Sequence, residues 1–359
     1  MAAINRTPRG PCYDGSMHSV DILWLQFALC AGLIGIAGAQ LSIYGDVIAR
    51  RTGLSGSWIG LALLATVTSL PELATGITSV TIANAPNLAV GDALGSCVVN
   101  LVFLVVIDLF FRKGPIWQVA SKGHVLAGAF GIVMLGLTLT TLQMGQLKSG
   151  SATGVGEVSY VVFNLATPML LALYLVAMRT VFAFEKRNAV EQQKSASGQL
   201  PSKKKALVMF SLAGATVMGA GIWLPFVSSQ LAASMGWNNS FMGSLFVALV
   251  TSAPELAVTT AALRIGAVNM AIGNLLGSNL FNVAIIAIDD LLYAPGSLFT
   301  AISSVHAVTA SSAISMTGLA LIGLFFKPQS RVFHLTGWVS IGLLALYVLN
   351  TVVVYLYGE

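Results

Sequence analysis

One pattern of residues occurs twice in this chain, once in each half. The first copy, within 65–100, contains T-S-L-P-E and then G-D-A-L-G-S-C-V-V-N; the second, within 248–282, contains T-S-A-P-E and then G-N-L-L-G-S-N-L-F-N. Glu255 follows Glu72 by 183 residues, so the copies keep nearly the same register. A duplication that retains its polar, Pro and Gly positions within apolar surroundings indicates a function beyond packing.

The composition around these motifs is that of a membrane protein. Of 359 residues, 56% are hydrophobic and only 9% are charged, whereas a soluble domain carries about a quarter charged residues. The apolar runs are too long for the strands of a membrane barrel. Because backbone groups in lipid must be satisfied within their own segment, the runs are predicted to be helices. The few basic residues lie in short loops, so nucleic acid is not a predicted partner.

The sequence predicts an all-α integral membrane protein with about ten transmembrane helices, arranged as two inverted five-helix repeats. The predicted spans are 22–45, 56–82, 87–111, 123–145, 158–183, 206–229, 239–263, 268–293, 301–326 and 333–356. The predicted divisions are a polar N-terminal tail at 1–21, a first repeat at 22–183 with its motif at 60–100, a basic loop at 184–205, and a second repeat at 206–359 with its motif at 243–282.

Lys and Arg residues predict the orientation, because they concentrate in cytoplasmic loops. With ten spans, most of them fall on one side, including Arg112 and the run Lys203–Lys205, and only Arg6, Arg9 and Lys148 fall on the other. The central basic loop is therefore predicted to be cytoplasmic and both termini outside. Since each half has five spans, the two motifs would enter the membrane from opposite sides, as in many secondary transporters.

The spacing of the motif residues predicts a site rich in oxygen atoms. In each copy a Thr, a Ser and a Glu share one helical face, and a Ser and an Asn follow one turn apart on the next span. Together these faces offer carboxylates, amides and hydroxyls, which suit hard cations such as Ca²⁺ and Na⁺. Pro71 and Pro254 would disturb the turn before each Glu, and the carbonyls freed there can face an ion.

The two motifs resemble the alpha-repeats of the cation/calcium exchanger superfamily, and most closely those of its prokaryotic sodium/calcium exchangers. The resemblance implies a secondary antiporter in the prokaryotic plasma (inner) membrane that exchanges Ca²⁺ for Na⁺ by alternating access, without a cofactor. It implies a central Ca²⁺ site formed by Glu72 and Glu255 with Thr68 and Thr251. It also implies flanking Na⁺ sites, formed by Ser69, Ser96, Ser252, Ser278 and the carbonyls of Ala65 and Ala248, with Asn100 and Asn282 in the middle.

Two alternatives to sodium-coupled exchange stay open. The middle pair is Asn100 with Asn282, where some members of the superfamily carry one Asp, so Glu72 and Glu255 are the only acids in the implied site. Two protons would neutralise these glutamates as one Ca²⁺ does, which makes a proton-coupled Ca²⁺ antiporter the first alternative. A cation channel is less favoured, because channels usually build a pore from rotational symmetry among subunits.

An enzyme is not predicted. The sequence contains no metalloprotease motif such as His-Glu-x-x-His and no evident pairing of a nucleophile with a base. His124, His306 and His334 are far apart in sequence and indicate no metal cluster.

Four further acids lie in or near the predicted spans. Asp92 is one turn before Ser96 and is interpreted as part of a vestibule or as a helix-end acid. Asp108 is predicted to pair with Arg112 four residues later. Asp289 and Asp290 are predicted to lie at a solvated loop end, with attraction of cations at the outer mouth as the alternative.

Overall fold

The computed structural model describes residues 20–51, 64–111, 114–121, 123–150, 156–188, 201–264, 266–329 and 337–358. These residues form helices and short connections. The helices are α1 (Val20–Arg51), α2 (Ala65–Thr68), α3 (Leu70–Thr81), α4 (Pro86–Phe110), α5 (Ile116–Val119), α6 (Gly123–Gly150), α7 (Gly156–Asn188), α8 (Lys203–Met235), α9 (Asn239–Phe241), α10 (Ala248–Thr251), α11 (Ala253–Arg264), α12 (Val268–Leu292), α13 (Val305–Phe326) and α14 (Trp338–Tyr357). A π-helical turn, Met242–Val247, joins α9 to α10, and a 3₁₀ turn, Leu298–Thr300, precedes α13.

Eight of the described helices are long and apolar enough to cross a membrane, and a ninth span is a pair of helices bent by 42°, Asn239–Thr251 with Ala253–Arg264. The counterpart of this pair in the first half is α2 with α3. The predicted span 56–82 is described only from residue 64, because 52–63 lie outside the described residues. The all-α integral membrane architecture predicted from the sequence is confirmed.

Each motif helix is interrupted at the Ser that lies two residues before its Pro. Ser69 has φ −87° and ψ 15°, and Ser252 has φ −80° and ψ 4°, so neither continues a regular helix. The interruption follows from Pro71 and Pro254, which lack the N–H that would bond to the preceding turn. The predicted disturbance is therefore present in both halves, and it lies beside the Thr, Ser and Glu of each motif.

The glycines of the first motif let α4 approach the π-helical turn backbone to backbone. A methyl group at Gly95 would lie 2.5 Å from the carbonyl oxygen of Ser244, and one at Gly91 would lie 3.1 Å from that of Ser240. At these two glycines the neighbouring backbones leave no room for a side chain. A π-helical turn beside a functional site is a recurrent feature of proteins.

We expect Gly95→Ala to lower the free energy of unfolding by about 1–3 kcal/mol, because the new methyl group would force the backbones apart. Thermal unfolding of the purified protein in detergent measures this loss. Gly136→Ala on α6 is the matched control, since a methyl group there meets no atom within 4 Å. Equal melting temperatures for the two variants would contradict the expected overpacking at Gly95.

The first helix of each half packs on the broken helix of the other half. A methyl group at Gly38 on α1 would collide with the ring of Pro254, and one at Gly221 on α8 would lie 3.3 Å from the carbonyl oxygen of Pro71. α1 and α8 also pack along one another. The two halves are thus interleaved rather than placed side by side.

A hydrogen-bonded clamp ties the first half to α13. The Oδ1 atom of Asn87, in the first turn of α4, accepts a hydrogen bond from the Ser303 backbone N–H at 2.7 Å. The same atom shares a hydrogen bond with Nε2 of His306 at 3.1 Å. Asn87 therefore holds the start of α13, which belongs to the other half.

The reciprocal clamp occurs at the equivalent positions of the second half. Oδ1 of Asn269, in the first turn of α12, accepts from the Ser121 N–H at 2.7 Å and shares a hydrogen bond with His124 Nε2 at 3.2 Å. The two buried histidines are thus structural partners of asparagines at the ends of α4 and α12.

Asp108 is a structural acid, and the predicted pair with Arg112 falls on a residue outside the described ones. Its side chain is fully buried. Oδ1 accepts from the Ile116 N–H at 3.1 Å, while Oδ2 accepts from the Gly337 N–H at 3.1 Å and the Ser340 hydroxyl at 2.8 Å. One carboxylate therefore joins the end of α4 to the start of α14.

Asp289 and Asp290 do not form a solvated loop end, and that prediction is wrong because α12 continues through both residues. Asp289 is fully buried. Asp290 accepts from the Leu298 N–H at 2.7 Å and the Ser297 hydroxyl at 3.1 Å, and also from the Thr167 hydroxyl. Asp290 is thus the counterpart of Asp108, whereas the carboxylate of Asp289 faces the interior.

Candidate functional site

Two glutamates lie at the centre of the bundle, and each is held by the other half. Glu72 and Glu255 are 1% and 0% exposed. The Ser252 hydroxyl donates to Oε1 of Glu72 at 3.2 Å, and the Ser69 hydroxyl donates to Oε1 of Glu255 at 2.9 Å. The two helix breaks therefore meet in a single buried centre with crossed hydrogen bonds.

The second oxygen of each glutamate is unsatisfied by the described part of the protein. Oε2 of Glu72 and Oε2 of Glu255 are both buried without a hydrogen-bond partner there. The crossed hydrogen bonds also hold each carboxyl against the serine that lies one turn before the other glutamate. Burying two like charges is costly unless something compensates them, so this centre requires a cation or protons.

On one side of the glutamates lies a group of oxygens that we call the Thr68 cluster: Ala65 O, Thr68, Ser69, Glu255 and Ser278. The Thr68 hydroxyl donates to Ala65 O at 3.2 Å and lies 3.4 Å from the Ser278 hydroxyl. The Ser278 hydroxyl is 3.2 Å from Oε1 of Glu255 and 3.4 Å from Ala65 O. The cluster thus joins hydroxyls and a backbone carbonyl to one carboxylate.

The equivalent group on the other side, the Thr251 cluster, contains Ala248 O, Thr251, Ser252, Glu72, Ser96 and Asp92. The Thr251 hydroxyl is 2.8 Å from Oδ1 of Asp92 and 3.3 Å from Ala248 O. The Ser96 hydroxyl donates to the same Asp92 oxygen at 3.4 Å. Asp92 is 1% exposed, so it is not a solvated helix-end acid but a third carboxylate beside the centre.

Amide side chains fill the crossing of α4 and α12. Nδ2 of Asn100 donates to Oδ1 of Asn279 at 3.0 Å, and Nδ2 of Asn279 donates to the carbonyl of Cys97 at 3.1 Å. Asn282 is buried, and neither Nδ2 nor Oδ1 of its side chain has a hydrogen-bond partner in the described part of the chain. Sequence reasoning missed Asn279, although its position opposite Cys97 in the duplicated motif was a usable signal.

All of the predicted site residues are buried; ten of them lie in the two clusters, and Asn100 and Asn282 lie one turn beyond Ser96 and Ser278 on α4 and α12. The predicted site residues are Ala65, Thr68, Ser69, Glu72, Ser96, Asn100, Ala248, Thr251, Ser252, Glu255, Ser278 and Asn282. Within the described ranges, no three His, Cys, Asp or Glu side chains form a group that could hold a metal ion. The donors are instead carboxylates mixed with neutral hydroxyl and carbonyl oxygens, which are the ligand types of Ca²⁺ and other hard cations.

The sequence is similar to those of known membrane proteins. The family profile described as sodium/calcium exchanger protein matches residues 22–183 and 205–356. The sodium/calcium exchanger MaX1 of Methanosarcina acetivorans is 26% identical over 332 residues, which cover 86% of this chain and 92% of MaX1. The inner membrane protein YrbG of Escherichia coli strain K12 is 25% identical over 269 residues, which cover 74% of this chain and 78% of YrbG.

The fold is also similar to that of a solved structure. The sodium-calcium exchanger NCX_Mj, in crystals soaked with 100 mM Na⁺ and 10 mM Sr²⁺, superposes with a TM-score of 0.58 at 22% sequence identity. The match covers 93% of this chain and 98% of NCX_Mj. The two proteins therefore share a fold over almost their entire length.

Proposed function

The chain belongs to the sodium/calcium exchanger protein family, and from that premise we propose that it exchanges Ca²⁺ for Na⁺ by alternating access. The family is one of membrane antiporters rather than enzymes. The observation that carries the proposal is the crossed pair of buried glutamates, Glu72 and Glu255, each bonded to a serine of the other half. A centre shared in this way changes whenever one half moves against the other, as alternating access requires.

Calcium is the proposed central ion because of the charge and burial of the glutamates. Each contributes one carboxylate oxygen that has no partner in the described part of the chain. Two carboxylates match the charge of one Ca²⁺, and Thr68 and Thr251 lie beside them to complete an oxygen shell. Asn100 and Asn282 are the proposed neutral members of the middle of the site.

Sodium is the proposed coupling ion because neutral oxygens flank the glutamates on both sides. In the Thr68 cluster and the Thr251 cluster, hydroxyls and a backbone carbonyl lie within 3.4 Å of one another or of a carboxylate oxygen. A desolvated Na⁺ needs several such oxygens, whereas a proton would need only the carboxylates. The name of the relative MaX1 also supports sodium coupling.

We propose the plasma membrane of a prokaryote as the location, with the central basic loop in the cytoplasm and both termini outside. The distribution of Lys and Arg supports this orientation. In it, α3 and α12 end at the outer face and α11 ends at the cytoplasmic face.

The coupling ion can be tested with reconstituted vesicles. Vesicles loaded with Na⁺ and diluted into Na⁺-free medium with labelled Ca²⁺, at equal pH on both sides, are expected to take up Ca²⁺. Ser69→Ala and Ser252→Ala should each raise the half-saturating Na⁺ concentration by about tenfold, because each removes one neutral oxygen from a cluster. Ser315→Ala, on an exposed position of α13, is the control and should leave Na⁺ dependence unchanged.

A different outcome would support the alternative. If uptake ignores Na⁺ and follows an imposed pH gradient, the carrier is proton-coupled, and the two glutamates carry protons in place of Na⁺. Asn100 and Asn282 keep that alternative open, since they add no acid to Glu72 and Glu255 in the middle of the site.

A further inference from the structure

The two sides of the site differ in charge, because one side contains an acid where the other contains an amide. Asp92 corresponds to Asn274, 182 residues later, yet the two residues make different contacts. Asp92 bonds to Thr251, whereas Nδ2 of Asn274 lies 3.5 Å from the hydroxyl of Thr259. Thr259 in turn corresponds to Gly76, 183 residues earlier, which has no side chain to offer.

The space that the side chain of Thr259 fills in one half is taken by a carboxylate in the other. A methyl group at Gly76 would lie 2.5 Å from Oδ2 and 2.9 Å from Oδ1 of Asp289. Asp289 therefore reaches from α12 to the face of α3 that lies one turn beyond Glu72. Its counterpart in the first half is the apolar residue Ile107.

Several oxygens around this point have no partner among the described residues. They are both carboxylate oxygens of Asp289, Oδ2 of Asp92 and the hydroxyl of Ser79, which lies one turn beyond Gly76. Asp289 and Ser79 are 0% exposed, and Asp92 is 1% exposed. Buried carboxylate oxygens without donors are costly unless a cation or a proton compensates them.

The equivalent region on the other side of the central glutamates has no such surplus. Its corresponding residues are Asn274, Ile107 and Ala262. Of their side-chain oxygens and nitrogens, only Oδ1 of Asn274 is buried without a partner. The acids are thus specific to one side of the central glutamates.

The acids also mark a path that leads away from the centre. Asp92 accepts from Thr251 in the Thr251 cluster, and Asp289 lies against Gly76, one turn beyond Glu72. Asp289 lies in the last turn of α12, and Asp92 lies in the second turn of α4, which begins where α3 ends. The path therefore runs from the central glutamates toward the end of the bundle at which α3 and α12 end.

We infer that Asp92 and Asp289, together with Ser79, form a second cation site between the central glutamates and that end of the bundle. Two carboxylates and a hydroxyl match the charge and ligand type of Ca²⁺. The inference rests on the proposed function, in that the ion held there is the transported Ca²⁺ on its way to or from Glu72. The absence of equivalent acids in the other half makes the two routes to the centre unequal.

Equilibrium binding of labelled Ca²⁺ to the purified full-length protein tests this site. The Glu72→Gln/Glu255→Gln variant, which lacks the central carboxylates, is expected to retain about one Ca²⁺ per chain at reduced affinity. Adding Asp289→Asn or Asp92→Asn should abolish that residual binding. Adding Asp21→Asn, an exposed acid at the start of α1, should leave it unchanged.

Transport supplies a second measurement in protein whose central glutamates are intact. Asp289→Asn should raise the half-saturating Ca²⁺ concentration for uptake by about tenfold, because acids lining a buried route raise the local cation concentration. Gly76→Ala should act in the same direction without removing a charge, since its methyl group would displace the carboxylate of Asp289. Asn274→Asp tests the other side, where an added acid should not compensate for the loss of Asp289.

The outcomes separate this inference from the proposed function. If the wild type binds Ca²⁺ but the double Gln variant binds none, and Asp289→Asn leaves half-saturation unchanged, the second site is refuted while the central site stands. If uptake follows a pH gradient but Asp289→Asn still weakens Ca²⁺ binding, sodium coupling is refuted and the second site stands.

Discussion

Glu72→Gln and Glu255→Gln are each expected to lower Ca²⁺ uptake by at least about a hundredfold. Removing one charged partner from a buried ionic interaction costs about 3–5 kcal/mol, which corresponds to a factor of about 10²–10⁴ in affinity. Glutamine keeps the side-chain oxygen that accepts from Ser252 or Ser69. The fold should therefore survive while the attraction for Ca²⁺ is lost.

Two measurements distinguish loss of binding from loss of structure. The melting temperature of the wild type should rise with Ca²⁺ concentration, because the ion binds the folded protein. In either Gln variant this rise at the Ca²⁺ concentrations that stabilise the wild type should disappear, while the elution volume in size-exclusion chromatography stays unchanged. Normal uptake by either variant would end the hypothesis of a site shared by two glutamates.

Asp108→Ala is expected to lower the free energy of unfolding by about 3–5 kcal/mol. The substitution would leave the N–H groups of Ile116 and Gly337 and the hydroxyl of Ser340 without the carboxylate that now accepts from them. Each buried donor left unsatisfied costs about 1–3 kcal/mol. Thermal unfolding in detergent without added Ca²⁺ measures the loss.

Asp21→Ala is the matched control for this loss. Asp21 is an exposed acid in the first turn of α1, so its removal should cost less than about 1 kcal/mol. A melting temperature for Asp108→Ala equal to that of the control would mean that the three donors find other acceptors.

The sequence predicted the central site because its signals are local and duplicated. Glu72 and Glu255 occur in matched frames next to Ser and Pro, and the helix breaks at Ser69 and Ser252 follow from the prolines. The long apolar runs are also local signals, and they predicted the membrane spans. In the described ranges, helix ends agree with the predicted spans to within a few residues for most of them.

The roles of the other buried acids depend on contacts between segments that are distant in sequence, and local sequence patterns do not predict such contacts. Asp108 accepts a hydrogen bond from Gly337, which is 229 residues away and which a rule for pairs four residues apart cannot find. A solvated loop end was predicted for Asp289, yet only the path of α12 beside Gly76 decides that the carboxylate faces inward. The sequence left two interpretations of Asp92 open, and the hydrogen bond from Thr251, in the other half, decides between them.

The two asparagine clamps have a consequence for biosynthesis. Asn269 accepts hydrogen bonds from Ser121 and His124, which emerge from the ribosome 148 and 145 residues before it. The Ser121 N–H and His124 Nε2 therefore lack their native acceptor while only the first half has been inserted. Final assembly of the early helices must wait for the late ones, and mutations that slow insertion of the second half would expose the first half to degradation.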